Sequence, residues 1–152
     1  MKYWLFKTEP NTFSWTDLLE SPRKTAEWDG VRNYQARNFM MEMKKGDLGF
    51  FYHSATKIPA IMGIVEVVKE AYPDYTQFDP QSKYFDEKST QEKPRWFMVD
   101  VKAKREFTPP ITRDELKKFP QLEGMLLLKK GLRLSVLPVE KKHWDFILSL
   151  RK

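Results

Sequence analysis

Residues 28–43 read WDGVRNYQARNFMMEM, and this stretch contains the clearest helix signal in the chain. Asn33 stands where a helix N-cap is expected, because its side-chain oxygen can accept an unpaired backbone N–H. The pattern predicts a helix from about Tyr34 to Met43, entered through a loop that contains glycine. The apolar residues recur at i, i+3, i+4 and i+7, which places them on one helix face: Ala36, Phe39, Met40 and Met43.

Other elements follow on both sides of this helix without the regular alternation of βαβ units. That mixture predicts an α+β class, with a small curved mixed sheet or barrel flanked by short helices, in one domain of 1–152. Gly63, in the middle of a strand, indicates a bulge or a close backbone approach. Strands are predicted at about 3–7, 48–53, 61–69, 95–103 and 134–139, and further helices at 15–19, 112–119, 122–130 and 140–150.

The stretch from Tyr72 to Pro94 has no periodicity, yet it is rich in aromatic residues. Disordered segments are usually poor in aromatics, and long connections in compact domains are often functional. We therefore expect an ordered loop that folds onto the sheet. Tyr84 and Phe85 in this loop are candidates to line a site, or alternatively to cover an exposed sheet edge.

Composition argues against several kinds of chemistry. The chain of 152 residues has no Cys and only two His, so thiolate metal sites and cysteine nucleophiles are excluded. No phosphate-binding glycine loop or nucleophile-elbow motif is present. The sequence thus predicts a protein that is not an enzyme and needs no metal or cofactor. Without a signal or membrane segment, we expect the cytoplasm and nucleoid of a bacterium or the nucleus of a eukaryote.

The charge is basic overall and concentrated near the C-terminus. The net charge is +6, from 27 basic and 21 acidic residues. Residues 94–152 carry 14 basic and 7 acidic groups, which gives +7, whereas residues 70–93 carry 3 and 6, which gives −3. A basic surface attracts polyanions such as nucleic acid, although it can also serve only to keep a protein soluble.

The start of the quoted stretch combines the side chains that recognise nucleotides. Trp28 offers a ring on which a base can stack, and Asp29 and Asn33 can bond to base edges. Arg32 and Arg37, at the beginning of the predicted helix, are candidates to bind phosphate. Alternatively, Trp28 fills the core and the two arginines are solvated.

Seven runs of the sequence together resemble the EVE domain family, a PUA-like group related to YTH and ASCH domains. The resemblance extends from Tyr3 to the last helix, and its most specific run is WDGVRNYQARNFM. The other runs add order and spacing: YWLFKTEP, FYHS, YPDYTQFD, SKYFD, PRWFMVDV and RLSVLPV.

The resemblance implies a PUA-like fold that binds modified bases, chiefly methylated or oxidised cytosine in DNA, without catalysis. It implies an aromatic cage around a flipped-out base, with Trp28 as one wall and Tyr84 or Phe85 opposite. Lys7 and Thr8 resemble the polar residues that line such a cage, and Ser54 is a candidate hydrogen-bond donor at its rim.

Three other functions remain open at the level of sequence. PUA-like domains also bind RNA, so the modified base could belong to an RNA. The protein could instead be an enzyme that acts on a nucleotide-like small molecule, or a scaffold that binds a protein partner. We expect no membrane association and a monomer.

Overall fold

The computed structural model describes residues 1–151 and confirms the α+β class. Within these residues, one mixed sheet contains six strands: β1 Tyr3–Thr8, β2 Thr25–Glu27, β3 Leu48–His53, β4 Ala60–Pro73, β5 Phe97–Thr112 and β6 Val136–Val139. Four short α-helices flank the sheet: α1 Trp15–Glu20, α2 Tyr34–Glu42, α3 Arg113–Leu116 and α4 Lys141–Leu148.

The strand order β2-β5-β4-β3-β1-β6 leaves β2 and β6 at the edges of an open sheet. β1 and β3 are parallel, whereas the other neighbouring strands are antiparallel. Since parallel strands end at the same side of a sheet, Thr8 and His53 lie opposite each other. The backbone N–H of Ser54 donates to the carbonyl of Thr8 at 2.9 Å. We call this side the carboxyl end of β1 and β3.

The helix starts agree with the capping signals in the sequence. Ser14 and Asp17 form a reciprocal capping box at the start of α1. The Asn33 side chain accepts the Ala36 N–H at 2.9 Å and begins α2, as predicted. Thr112 caps α3 in the same way. Within residues 1–151 no helix is long and apolar enough to cross a bilayer.

The predicted elements need four corrections. The strand β2 was not predicted, and α3 ends at Leu116 rather than near residue 119. β4 and β5 are longer than expected, because they continue to pair beyond the apolar segments and pass through several register shifts. The helix predicted over residues 122–130 is wrong. Two 3-10 turns occupy this region, at Pro120–Leu122 and Leu126–Leu128, and Gly124 between them has a φ of 86°. That left-handed conformation interrupts helical hydrogen bonding.

Gly63 marks a close approach, as predicted. A Cβ atom at this position would lie 2.4 Å from the Arg105 carbonyl oxygen and 2.5 Å from the Trp15 ring. The register between β4 and β5 also shifts between Ile61 and Gly63. The missing side chain thus lets the indole of Trp15 pack directly on the sheet.

The segment 72–94 is an ordered loop, as predicted, and a buried amide organises it. Gln77 is fully buried, and its side-chain nitrogen donates to the carbonyls of Asp74 and Trp96 at 2.7 and 2.8 Å. Its side-chain oxygen accepts the backbone N–H groups of Arg95 and Trp96 at 3.0 Å. A buried polar side chain with all its partners satisfied specifies one conformation of the loop.

Candidate functional site

A cleft of about 810 Å³ opens at the carboxyl end of β1 and β3. This volume is in the range of sites that hold small organic molecules or nucleotides. Both aromatic and charged side chains face it. Its lining comes from six segments of the chain: 7–9, 12–13, 27–32, 54–55, 83–84 and 133–135.

Trp28 forms one wall of the cleft and is also part of the core. Only 6% of its surface is exposed. Its ring meets the rings of Phe6, Phe13 and Phe51 edge to face, at centroid distances of 5.1, 6.2 and 5.6 Å. The same indole thus fills the core and lines the cleft, and the stacking of a base on it stays a prediction.

Tyr84 lines the cleft from the side of the 72–94 loop and lies against Gly30. A Cβ atom on Gly30 would lie 2.5 Å from the Tyr84 ring, and Gly30 has a φ of 79°. Both facts require glycine at this position. Phe85, the neighbouring residue, does not line the cleft and is 42% exposed. Tyr84 is thus the aromatic residue that the loop brings to the site.

Arg32 holds this loop in place. Its Nε and Nη2 donate to the Tyr84 carbonyl at 3.1 and 2.8 Å, and Nη2 also donates to the Thr76 hydroxyl at 3.0 Å. Its Nη1 donates to the Val31 carbonyl at 3.0 Å and to the fully buried Asp74 carboxylate at 3.1 Å. A guanidinium has five N–H donors, and these five contacts occupy them. The structure therefore gives Arg32 a positioning role within the protein, and a phosphate contact at Arg32 stays a prediction.

Asp74 connects the two sides of the cleft. Besides the ion pair with Arg32, its carboxylate accepts the Gly30 N–H at 2.8 Å and the Thr76 N–H at 2.8 Å. Asp74 was not among the residues selected from the sequence, although an Asp two residues before Thr76 in a turn region is typical of an Asx-turn. Its contact with Gly30, which is distant in sequence, could not be foreseen.

Arg37 lies outside the cleft, in a stack of aromatic and cationic groups. The Arg32 guanidinium lies 5.4 Å from both the Tyr84 and the Trp96 ring centroids. Trp96 stacks on Tyr34 at 4.7 Å, and Arg37 covers the Tyr34 ring at 4.8 Å. Arg37 also donates to the Arg95 carbonyl at 2.9 Å. Its guanidinium thus packs on the back of the loop.

Asn33 also falls outside the cleft lining, since its side-chain oxygen is used to cap α2. Thr8 lines the cleft, but its hydroxyl donates to the Phe13 carbonyl at 3.0 Å. Of the polar residues selected from the sequence, Lys7, Asp29 and Ser54 line the cleft with side chains available to a ligand.

Two of the charged side chains that line the cleft, Asp29 and Lys7, have shifted pKa values. Partial loss of hydration raises the pKa of the Asp29 carboxyl, and the nearby Asp74 and Glu27 carboxylates raise it further. Burial lowers the pKa of the Lys7 ammonium, with a second contribution from the positive charge of Arg113. Both shifts indicate side chains that a complementary ligand would stabilise in their charged forms.

Lys83 and Arg133 also line the cleft, and sequence reasoning did not select them individually. They contributed only to the count of basic residues. Both side chains are exposed and, within residues 1–151, neither forms an ion pair with a carboxylate. Arg133 lies shortly before β6. The Lys7 N–H donates to the Ser135 carbonyl at 2.7 Å, and this bond holds the segment that contains Arg133 next to the end of β1.

Both histidines contact backbone groups within the protein. His53 Nε2 accepts the backbone N–H of Trp15 at 3.0 Å, and burial lowers the pKa of the His53 imidazole. His143 is buried and its Nε2 lies 3.2 Å from the Glu123 carbonyl. Among residues 1–151, no group of three or more His, Cys, Asp and Glu side chains is arranged to hold a metal ion.

Comparison with known proteins gives a match to the EVE domain family model over residues 2–150. The chain is 45% identical to thymocyte nuclear protein 1 of mouse, in an alignment that covers 99% of this chain and 74% of the mouse protein.

Solved structures are similar over the whole fold. A crystal structure of a Pseudomonas syringae protein has a TM-score of 0.92 and 49% identity, with 99% of each chain covered. Human THYN1, crystallised in complex with DNA that contains 5-methylcytosine, has a TM-score of 0.92 and 42% identity, covering 99% of this chain and 97% of the human chain.

Proposed function

This chain belongs to the EVE domain family, and from that premise we propose that it binds DNA by holding a flipped-out modified cytosine in the cleft between Trp28 and Tyr84. The observation that carries the proposal is the cleft itself. It combines a rigid aromatic wall, a second aromatic ring and uncommitted polar side chains. The human THYN1 complex supports the choice of 5-methylcytosine as the first ligand to test.

The polar groups of the cleft fit the hydrogen-bonding edge of cytosine. The exocyclic amine of cytosine is a donor, and a carboxylate is its natural acceptor. Asp29 supplies that acceptor, while Lys7 and Ser54 can donate to the ring nitrogen and carbonyl oxygen. Bound to this base, the Asp29 carboxylate and Lys7 ammonium each gain a partner that offsets their lost hydration.

The 5-methyl group has an apolar surface to contact. Phe13 and Leu134 line the cleft with side chains that contain only carbon atoms, and the carbon atoms of the Trp28 ring add to this apolar surface. Burying one methyl group contributes about 0.8 kcal/mol, or roughly fourfold in affinity, so the preference for methylated over plain cytosine is modest. Flipping the base costs a few kcal/mol, which stacking and phosphate contacts offset.

Thymine provides the sharpest test of the base contacts. It carries the same methyl group as 5-methylcytosine, but it has a carbonyl oxygen in place of the amine. The wild type should bind an oligonucleotide with one 5-methylcytosine about tenfold or more tightly than the same strand with thymine. Asp29→Asn should reduce this discrimination, because the amide can donate to the thymine oxygen.

Asp79→Asn is the matched control, since it removes one negative charge from an exposed loop position outside the cleft lining. It should raise the affinity for all oligonucleotides slightly and leave the preference for cytosine intact. If Asp29→Asn discriminates against thymine as strongly as the wild type, then Asp29 does not contact the base.

The same modified oligonucleotides distinguish DNA binding from two other functions, RNA binding and catalysis. A matched RNA oligonucleotide with the same modified base should bind more weakly than the DNA, because only RNA carries the 2′-hydroxyl. Mass spectrometry should find the modified DNA unchanged after incubation. Tighter RNA binding would favour an RNA target, and a released base or a deaminated product would establish an enzyme.

A further inference from the structure

A second groove is lined by residues 117–120, 122–126 and 128–129. Its volume is about 850 Å³. The floor is apolar and includes Phe119, Met125 and Leu128, and the rim carries the side chains of Lys117, Lys118 and Lys129 together with one carboxylate, Glu123.

The cations around this groove are not neutralised by the protein. Between residues 113 and 133 the chain has six basic residues and three acidic ones, which gives +3. One of these acids, Glu115, already pairs with Arg151 at 2.7 Å. Within residues 1–151, Lys117, Lys118 and Lys129 form no ion pair, and all three are exposed. Unpaired cations along one groove attract a polyanion.

Part of the groove lining lies close to the cleft lining along the chain. Lys129 belongs to the groove and Arg133 to the cleft, and only three residues separate them. Four extended residues span at most about 14 Å, which corresponds to roughly four nucleotide steps of 3.4 Å along a DNA strand. At its other side, the groove lining begins at Lys117, directly after α3. The residue before α3, Thr112, pairs with Ala60, and Ala60 pairs with His53 at the carboxyl end of β3.

We infer that this groove binds the DNA strand that flanks the flipped base. Phosphates contact Lys117, Lys118 and Lys129, and sugars and bases cover the apolar floor. The inference rests on the proposed function, because the cleft fixes one nucleotide and the groove then receives its neighbours on one side.

The test is an oligonucleotide length series with two double variants. The double variant Lys117→Gln and Lys118→Gln removes two positive charges from the rim of the groove. Lys44→Gln with Lys45→Gln removes the same charge from the turn before β3, at the other end of that strand from the cleft. One oligonucleotide has about four nucleotides around the modified base, and two others extend it by about eight nucleotides on the 5′ or the 3′ side.

The wild type should gain affinity from one extension more than from the other. The groove variant should lose roughly threefold to tenfold in affinity for that extended strand, with a salt slope reduced by up to about 2. It should bind the short oligonucleotide as the wild type does and keep the same preference for the modified base. The Lys44 and Lys45 variant should match the wild type throughout.

Equal losses in the two double variants, or equal losses on the two extensions, would overturn the inference, because they indicate only general attraction between charges. A groove variant with full affinity for every strand would also overturn it. If the wild type shows no preference for the modified base, the proposed function fails. The extensions made with plain DNA still measure the groove in that case.

Discussion

The two walls of the cleft are built by different forces. Trp28 is held by apolar packing against Phe6 and Phe51 of the sheet and Phe13 of the loop before α1, and it is 6% exposed. Tyr84 is held by an ion pair and by hydrogen bonds that connect the 72–94 loop to residues 30–32. Apolar packing makes the Trp28 wall inseparable from folding. The Tyr84 wall depends on a few polar contacts, so it can be disrupted while the sheet stays folded.

The largest expected effect is at the apolar wall. Trp28→Ala should lower the free energy of unfolding by about 3–5 kcal/mol, because it leaves a cavity in the core. Urea denaturation measures this loss. Trp28→Phe keeps most of the packing and should cost less stability, while a smaller ring faces the base. If Trp28→Ala has the same urea midpoint of unfolding as the wild type, the indole does not contribute to the stability of the core.

The next effect is at the polar wall. Asp74→Ala removes the buried acceptor shared by Gly30, Arg32 and Thr76 and should cost about 3 kcal/mol, the lower part of the range for breaking a buried ion pair. Amide hydrogen exchange should increase in residues 74–86 and not in β1 and β3. An increase spread evenly over the sheet would show that the loop and the core unfold as one unit.

Arg32→Lys distinguishes a positioning role from a phosphate contact. Lys keeps the charge but cannot replace the five directed donors, so Tyr84 should lose its position. The affinity for modified DNA should fall by about 1–3 kcal/mol, with the salt slope unchanged. Arg37→Lys, on the back of the loop, is the control and should keep the wild-type affinity. Nearly wild-type affinity in Arg32→Lys would favour direct phosphate contact instead, because Lys retains the positive charge.

A smaller effect isolates the Tyr84 ring from its hydroxyl. Tyr84→Phe retains the ring and should bind modified DNA nearly as well as the wild type. Tyr84→Ala removes the stacking surface and should weaken binding by about 1–2 kcal/mol, with little change in stability. Fluorescence anisotropy with one labelled strand compares the two variants. Equal affinities for Tyr84→Ala and the wild type would leave Trp28 as the only aromatic wall.

The smallest effect is a pH dependence at Asp29. Its pKa is raised above the ordinary value of 3.8, so ionisation is harder in the folded protein than in the unfolded chain. The wild type therefore loses stability as the pH rises through the interval between these two pKa values. Asp29→Asn has no such loss. Its stability relative to the wild type should increase between about pH 3 and pH 7, as measured by thermal unfolding. A constant difference would contradict the raised pKa.

Local signals were sufficient for most of the elements. Asn33 caps α2 where the sequence predicted it, and Ser14 and Thr112 cap α1 and α3 in the same way, because a cap requires only a side chain and the next few backbone N–H groups. The length of β4 and β5 was not predictable in this way, since their polar ends are held by pairing with each other. The helix expected at 122–130 failed because its apolar residues suit both a helix and a pair of 3-10 turns.

The segments around Trp28 and Tyr84 that form the candidate site could be predicted from the sequence, but the contacts between these segments could not. The sequence by itself determined the α+β class, the family resemblance, and the residues around Trp28 and Tyr84 from which the cleft is formed. Only the tertiary structure decided that Arg32 binds Asp74 and Tyr84, 42 and 52 residues away, and that Asn33 caps a helix. A side chain's chemistry is fixed by its type, but its partners depend on which distant segments the sheet brings together.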